Sequence, residues 1–498
     1  MQAGSLRYSS SWTARWLRVG RGLSFALLAG LAVAVARAAG DGQSAAGQRP
    51  NIVMLMADDL GYGDLGCYGQ EKILTPRIDA LAWEGLRFSQ AYAGSSVCAP
   101  SRSSLMTGRH NGHNRIRDNL PHGVALRPDD VTVAEVLKQA GYRTAAIGKW
   151  SLGDAGTRGV PNAQGFDYWY GELNQDLAID YYPASLWEND RVVLLQELVM
   201  ENGVGIMKGN RAGDRAIYTP DRFDDRAKAF IRQNREQPFF LYYATTLPHF
   251  SDYPADTPEH FMVPADAPYG GRDWPQPAKN YAAMVTRFDR TVGEVVDLLH
   301  ELGLEQNTLV IVTSDNGAYH HEIPLRFFGS SGKLRGAKRD LYEGGVRVPL
   351  IARWPGRIAP GRTSDHVTAG WDHFATFAEL AGLPERGTDD SISYAPVLLG
   401  QTDRQRTHPF LYWDYGHVRP NYQQAVRWGD WKGVRNRTDG PIELFDLSTD
   451  ISEARDVAAT YPDVVARLAQ IMATAPVASP DYPILSRQSP AGNVSRRP

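Results

Sequence analysis

Short apolar runs recur along the chain, each too short for a helix and each closed by polar residues. The first is Asn51-Ile52-Val53-Met54-Leu55-Met56-Ala57; others cover 144–147, 238–243 and 308–314. A run that stays apolar without alternating predicts a strand buried on both faces, the mark of a mainly parallel sheet. Between these runs apolar residues return at helical spacing. The spacing predicts helices over 76–88, with Pro76 at the start, over 131–140, closed by Gly141, and over 221–234. It predicts two more over 280–303, with Phe288, Val292, Val295 and Leu299 on one face, and over 371–381, closed by Gly382. Residues 346–354 return to the sheet. Strands and helices in this rhythm give an α/β fold, a mixed but mostly parallel sheet flanked by helices.

After about Pro384 the pattern changes. Short alternating runs at 409–413, 424–428 and 443–447, followed by a helix over 458–472, predict a smaller antiparallel sheet plus helix. At the front, Arg7, Arg15, Arg18 and Arg21 precede an apolar run over 23–35 and the small-residue site Ala36-Arg37-Ala38. That run is too short to span a bilayer comfortably, so 1–38 reads as a signal peptide, with an uncleaved signal anchor as the alternative. The expected division is a signal peptide over 1–38, a linker over 39–50, an α/β domain over 51–384, a C-terminal α+β subdomain over 385–477 and a loosely ordered tail over 478–498. A secreted or periplasmic protein with no transmembrane segment in its mature chain follows from this reading.

Composition adds little. The 498 residues are 43% hydrophobic and 22% charged, with a formal net charge of -3. That is ordinary for a globular chain with a large core, and without a basic footprint it argues against nucleic acid as a partner.

Chemistry collects where apolar runs end. Asp58-Asp59 follows the first run, Lys149 lies in Gly148-Lys149-Trp150, His249 ends Leu247-Pro248-His249, and Asp315-Asn316-Gly317 closes the 308–314 run. In open α/β sheets, sites assemble at the carboxyl ends of strands. Taken singly, each of these is ordinary turn chemistry or a surface side chain. Two adjacent carboxylates repel, however, and a cation between them explains the pair more easily. Ser96-Val97-Cys98-Ala99-Pro100-Ser101-Arg102 opens another helical stretch. Pro100 suits its first turn, and Cys98 falls at the N-terminal end, where backbone N–H groups favour an anion. The blander reading is a cysteine packed as a small hydrophobe.

Cys98-Ala99-Pro100-Ser101-Arg102, followed by Leu105-Met106-Thr107-Gly108-Arg109, resembles the signature of the type I, formylglycine-dependent sulfatases, of arylsulfatase-like kind. Gly148-Lys149-Trp150-Ser151-Leu152-Gly153, the pair Asp315-Asn316 and the block from Gly332 to Pro349 resemble further motifs of that family. The resemblance implies an alkaline-phosphatase-like fold and hydrolysis of sulfate esters, aryl or carbohydrate. It implies that a formylglycine-generating enzyme converts Cys98, whose hydrated aldehyde then attacks sulfur; the loss of that thiol speaks against a Cys67–Cys98 disulfide. It assigns Asp58, Asp59, Asp315, Asn316 and an oxygen on modified Cys98 to a divalent cation. Oxygen donors of this kind suit calcium first and magnesium second.

By the same resemblance Arg102, Lys149 and Lys338 balance the charge, and Lys149, His249 and Lys338 meet the substrate. Lys333 is the weaker candidate for the position given to Lys338. Asp315 accepts the proton of the attacking hydroxyl, and His249 with Lys338 protonates the leaving oxygen. Ser151 departs from the motif, which carries a histidine there. The aromatic stretch 165–195 reads either as a loop packed on its own rings or as a substrate rim. Its segments Gly171-Glu172-Leu173-Asn174-Gln175 and Leu186-Trp187-Glu188-Asn189 resemble bacterial members that act on sulfated glycans. Two other readings stay open: a phosphonate or phosphodiester hydrolase of the same superfamily, and an inactive glycan-binding relative.

Overall fold

The run Asn51–Ala57 becomes a central strand of a ten-stranded sheet. The computed structural model describes residues 49–484, apart from 121–122, 176, 202–203, 210–214 and 385. The signal peptide, all but the last two residues of the linker and the end of the tail lie outside the described residues. Across the sheet the strands run Arg362–Ser364, Leu86–Phe88, Leu350–Arg353, Thr308–Ser314, Asn51–Ala57, Phe239–Ala244, Arg143–Lys149, Tyr168–Glu172, Ser185–Glu188 and Arg191–Leu194. From Thr308–Ser314 to Tyr168–Glu172 neighbouring strands pair in parallel. Antiparallel pairings flank this block on both sides. The expected mixed, mostly parallel sheet is present.

Alternation along a strand explains why the runs are apolar throughout. Val53, Leu55 and Ala57 face one core, and Ile52, Met54 and Met56 face the other. The helices Pro76–Trp83, Thr219–Gln233 and Gln276–Glu301 cover the first face. Cys98–Thr107, Val133–Gln139 and Asp372–Leu380 cover the second. Each fully buried Val, Leu, Ile or Met contributes about 1.5–3 kcal/mol, so a run with no polar position is stable only between two such layers.

The predicted helix over 76–88 is in fact two elements. It stops at Trp83, and Leu86–Phe88 joins the sheet edge. Gly85 breaks the turn, because a Cβ there would lie 2.2 Å from the Ala352 carbonyl oxygen. The sequence reading did not resolve the short strands at 185–194 and 362–364, whose apolar pattern is too brief to distinguish from loop.

The C-terminal part forms an antiparallel sheet in simple order, Leu411–Tyr415, Gln423–Trp428, Trp431–Arg435 and Glu443–Asp446, with the helix Pro462–Thr474 against it. One face buries Tyr412, Val426 and Leu444 against Leu468, Ile471 and Met472. The other buries Trp413, Ala425, Val434 and Phe445 against Tyr92, Leu341, Tyr342 and Val346. Buried charges cross this second interface. Lys432 Nζ lies 2.7 Å from Glu343 Oε1, Arg347 Nε lies 2.9 Å from Glu343 Oε2, and the Glu343 N–H donates to Glu453 Oε2 at 2.7 Å. Burial acts to raise the Glu343 carboxyl, but Lys432, Arg347 and Arg427 outweigh it and hold it at about 2. This network anchors the turn that follows Lys338.

Candidate active site

Register brings the strand ends together. Ala57 pairs with Ser314, and Ala244 with Gly148, so residues just beyond each strand emerge side by side. Gly148, at φ 105°, lets two of these strands close; a Cβ there would stand 2.0 Å from the Ala244 carbonyl oxygen. Asp59 and Ser151, neither of them glycine, hold φ of 64° and 67°. Such backbone costs on the order of 1–3 kcal/mol per residue and clusters at functional sites.

The turn at Cys98 meets these ends from the second face. The helix Cys98–Thr107 starts at the cysteine, as its sequence predicts, and all ten of its residues are buried. Cys98 Sγ lies 3.4 Å from Asp58 Oδ1 and 4.0 Å from Asp59 Oδ1. Arg102, one turn on, donates to Asp315 Oδ2 from Nε at 3.0 Å and from Nη2 at 2.8 Å, and to the Lys149 carbonyl at 2.8 Å. Lys149 Nζ donates to Asp58 Oδ2 at 2.6 Å, and Lys338 Nζ to Asp59 Oδ2 at 2.7 Å. Asn316 Nδ2 donates to Asp59 Oδ1 at 2.7 Å. Every residue expected at the site from its motif is therefore in one cluster; Lys333 is exposed and contributes nothing to it.

His249 completes the group. Its Nδ1 is 2.7 Å from the Phe250 carbonyl, and its Nε2 is 2.9 Å from Lys338 Nζ and 3.4 Å from Asp59 Oδ2. A carbonyl only accepts, so Nδ1 carries the proton and the Nε2 lone pair faces the Lys338 ammonium. Burial and then Lys338 push the His249 imidazole down to about 4, consistent with a neutral ring. Burial would raise the Asp58 carboxyl, but Lys149 first, then Arg102 and Lys338, hold it far below the usual range. Asp315 is the opposite case: burial and the neighbouring Asp58 raise it to about 6 despite Arg102. Burial, then Asp58, pushes the Cys98 thiol up to about 12, so as a thiol it is a poor nucleophile.

Asp58, Asp59, Asp315 and Asn316 offer only oxygens, and Asn316 Oδ1 is buried without a hydrogen-bond partner. A buried acceptor left open beside three carboxylates fits a hard divalent cation. The side chains of Asp58, Asp59, Cys98 and His249 also lie within 4.8 Å of one another, a spacing a metal ion can bridge.

Several rings of the aromatic stretch turn inward, while Tyr168, Tyr182 and Trp187 stay half-buried. Phe166, Trp169, Tyr170 and Tyr181 are buried in the cores. Tyr181 donates to the carbonyls of Thr246 and His249 at 2.8 and 2.5 Å, which steadies the His249 loop. The sequence reading named Glu172 only as part of a segment and gave it no role of its own. Glu172 pairs in register with Lys149, is 2% exposed, and has no hydrogen-bond partner on either carboxylate oxygen. Burial raises it well above the normal carboxylate range. Its position as the acid that closes an aromatic strand was the available signal.

Comparison with known proteins identifies the family. The sequence model of the Sulfatase family matches residues 50–383, and that of the N-sulphoglucosamine sulphohydrolase C-terminal region matches 336–476. The chain is 32% identical to an N-acetylgalactosamine-6-O-sulfatase of Bacteroides thetaiotaomicron, over 85% of this chain and 93% of that protein. It is 37% identical to human arylsulfatase A, over 83% of this chain and 77% of that protein. The solved structure of Ps i-CgsB in complex with k-i-k-neocarrahexaose superposes with a TM-score of 0.70 at 26% identity, covering 87% of this chain and 94% of that one. Sheet order, small C-terminal sheet and these neighbours together make the fold alkaline-phosphatase-like. On the family match over most of its length, and on relatives above 30% identity, the chain belongs to the sulfatase family, a family of sulfuric ester hydrolases.

Proposed function

We propose that this protein hydrolyses sulfate esters, carbohydrate sulfates foremost, through a formylglycine made from Cys98. The observation that carries this is the placement of Cys98 Sγ 3.4 Å from Asp58 within a buried ring of acids answered by Arg102, Lys149 and Lys338. Formylglycine at this position would supply a hydrated aldehyde: one hydroxyl as the nucleophile towards sulfur, the other free to lose its proton to water as the aldehyde re-forms and the C–O bond to sulfate breaks. A divalent cation, calcium before magnesium, would be held by Asp58, Asp59, Asp315, Asn316 and an oxygen at position 98, and would supply Lewis acidity there.

The chain's own groups do the rest. Arg102, Lys149 and Lys338 spread positive charge where sulfate oxygens gather negative charge. Asp315, raised toward neutrality, is suited to take the proton of the attacking hydroxyl. Lys338 and His249 share a proton along their 2.9 Å contact and deliver it to the leaving oxygen. Ser151 cannot act as a base near neutral pH, so no imidazole assists the release of sulfate from that position. The reading of residues 1–38 as an export signal places the reaction outside the cytoplasm, in the periplasm or beyond the cell.

The test is turnover of 4-nitrophenyl sulfate and of its matched phenylphosphonate ester by wild type and Cys98→Ala, with the mass of the peptide bearing residue 98 determined. Sulfate turnover that vanishes in Cys98→Ala, together with loss of the thiol mass, is expected. Full activity in the variant, or faster cleavage of the phosphonate, overturns the reading.

A further inference from the structure

The proton donor His249 sits on a turn that is fastened from several sides. The His249 N–H donates to the Thr246 carbonyl at 2.9 Å, and the Asp58 N–H donates to the Leu247 carbonyl at 2.9 Å. Those bonds tie the middle of the turn to the strand end at Asp58. The His249 carbonyl is met from elsewhere in the chain, 68 residues away. Tyr181 Oη lies 2.5 Å from the His249 carbonyl oxygen and 2.8 Å from that of Thr246. A hydroxyl carries one hydrogen, so Tyr181 shares it between the two ends of the turn.

Tyr181 is itself held in place. Its carbonyl accepts from the Thr219 N–H at 3.1 Å, where the helix Thr219–Gln233 begins. Its ring stacks on Tyr218, with centroids 5.5 Å apart and planes 14° from parallel. Burial raises its hydroxyl well above the usual tyrosine range, so it stays a donor at every working pH.

The His249 ring hangs from this anchored backbone. Its Nδ1 is spent on the Phe250 carbonyl at 2.7 Å, and the ring stacks on Phe250 at 4.2 Å. Both contacts are to the next residue, so ring and turn move as one body. The 2.9 Å approach of Nε2 to Lys338 Nζ then depends on where the turn stands. A misplacement of about 1 Å can cost on the order of a hundredfold in rate.

We infer that Tyr181 is the positioning residue of the proton donor: its hydroxyl holds the His249 carbonyl and so sets the reach of Nε2 towards Lys338 and the leaving oxygen. This rests on the sulfatase reading above. Tyr181 acts through His249 and takes part in no bond that forms or breaks.

A proton donor matters most when the leaving alcohol is a weak acid. The experiment therefore compares kcat and KM on phenyl sulfate with those on 4-nitrophenyl sulfate, whose phenol departs more readily without a proton. Tyr181→Phe keeps the stacked ring and removes one oxygen. It should lose at least tenfold more in kcat on phenyl sulfate than on 4-nitrophenyl sulfate, with KM nearly unchanged on both. Tyr218→Phe is the control for packing, because it removes the neighbouring buried hydroxyl, which donates to the Met262 carbonyl at 2.8 Å. It should lower the melting temperature and leave the ratio of the two rates alone. Equal losses on both esters, no loss on either, or the same selective loss in Tyr218→Phe would overturn the inference. A second arm needs no turnover. In Cys98→Ala carrying nitrogen-15 histidine, the His249 Nδ1 proton should exchange with solvent at least tenfold faster once Tyr181→Phe is added. An unchanged exchange rate overturns the positioning role. Absence of any Cys98-dependent sulfate turnover sinks the sulfatase reading separately, and the exchange arm still decides what Tyr181 does.

Discussion

At the scale of single residues, Lys149 shows how tightly the site is balanced. It is fully buried against Asp58, and its ammonium is raised because the attraction of Asp58 exceeds the penalty of burial. Removing one member of a buried pair typically costs about 3–5 kcal/mol, because its partner stays charged and alone. Lys149→Met should therefore lower the thermal midpoint as well as reduce kcat by at least a hundredfold, read by calorimetry and steady-state assay. The acids give a second expectation. Added calcium should raise the thermal midpoint, since a ligand held only by the folded state stabilises it by RT ln(1 + [L]/Kd). Asp315→Ala should abolish that shift; a variant that keeps the full calcium effect would show that Asp315 is no ligand. Most of the cluster was legible, because Asp58, Lys149, His249 and Asp315 each follow an apolar strand and the turn at Cys98 carries its own motif. Glu172 was named only within a segment and given no role, because its strand is built of aromatic residues that also suit a loop.

Helices and strands explain what the apolar pattern could and could not say. The long runs read correctly as strands because two helical layers cover them, and burial on both faces leaves no polar alternation to misread. Boundaries were less legible wherever a glycine ended one element and began another, as at Gly85. The helix Thr219–Gln233 carries a buried acid that the pattern alone would count as polar surface. Asp224 accepts hydrogen bonds from the Tyr243 hydroxyl at 2.5 Å and the Thr291 hydroxyl at 3.0 Å, and burial raises its carboxyl to about 7. A carboxyl raised in the folded state contributes stability that is present below its unfolded pKa and lost as pH rises through the folded value. Stability should thus fall between about pH 4 and pH 7 on this account, and Asp224→Asn should flatten the dependence of the thermal midpoint on pH across that window. An unchanged slope would assign the effect elsewhere. Gly148→Ala, with a Cβ forced against the Ala244 carbonyl in left-handed backbone, should separate two central strands and yield little soluble protein.

Over the whole molecule, the feature least visible in the sequence is how the C-terminal sheet supports the site. Strand order and the contacts between distant segments have no local signature. Lys432 falls between the short runs that the sequence predicts, yet it is fully buried against Glu343, just beyond the loop that carries Lys338. Lys432→Met should lower the urea midpoint by an amount equivalent to about 3–5 kcal/mol and reduce kcat, with both effects partly restored by Lys432→Arg. Normal activity in Lys432→Met would show that the small sheet supports folding alone.

The helix that begins at Cys98 has a consequence for the order of events in the cell. Its first residue, at the carboxyl ends of the central strands, has 0% exposure in the folded chain. No maturase can grip a thiol that no solvent reaches, so any oxidation of this position belongs to the nascent, still-extended polypeptide. Were this position converted by such an enzyme, a molecule that folded first would keep its thiol until it unfolded again.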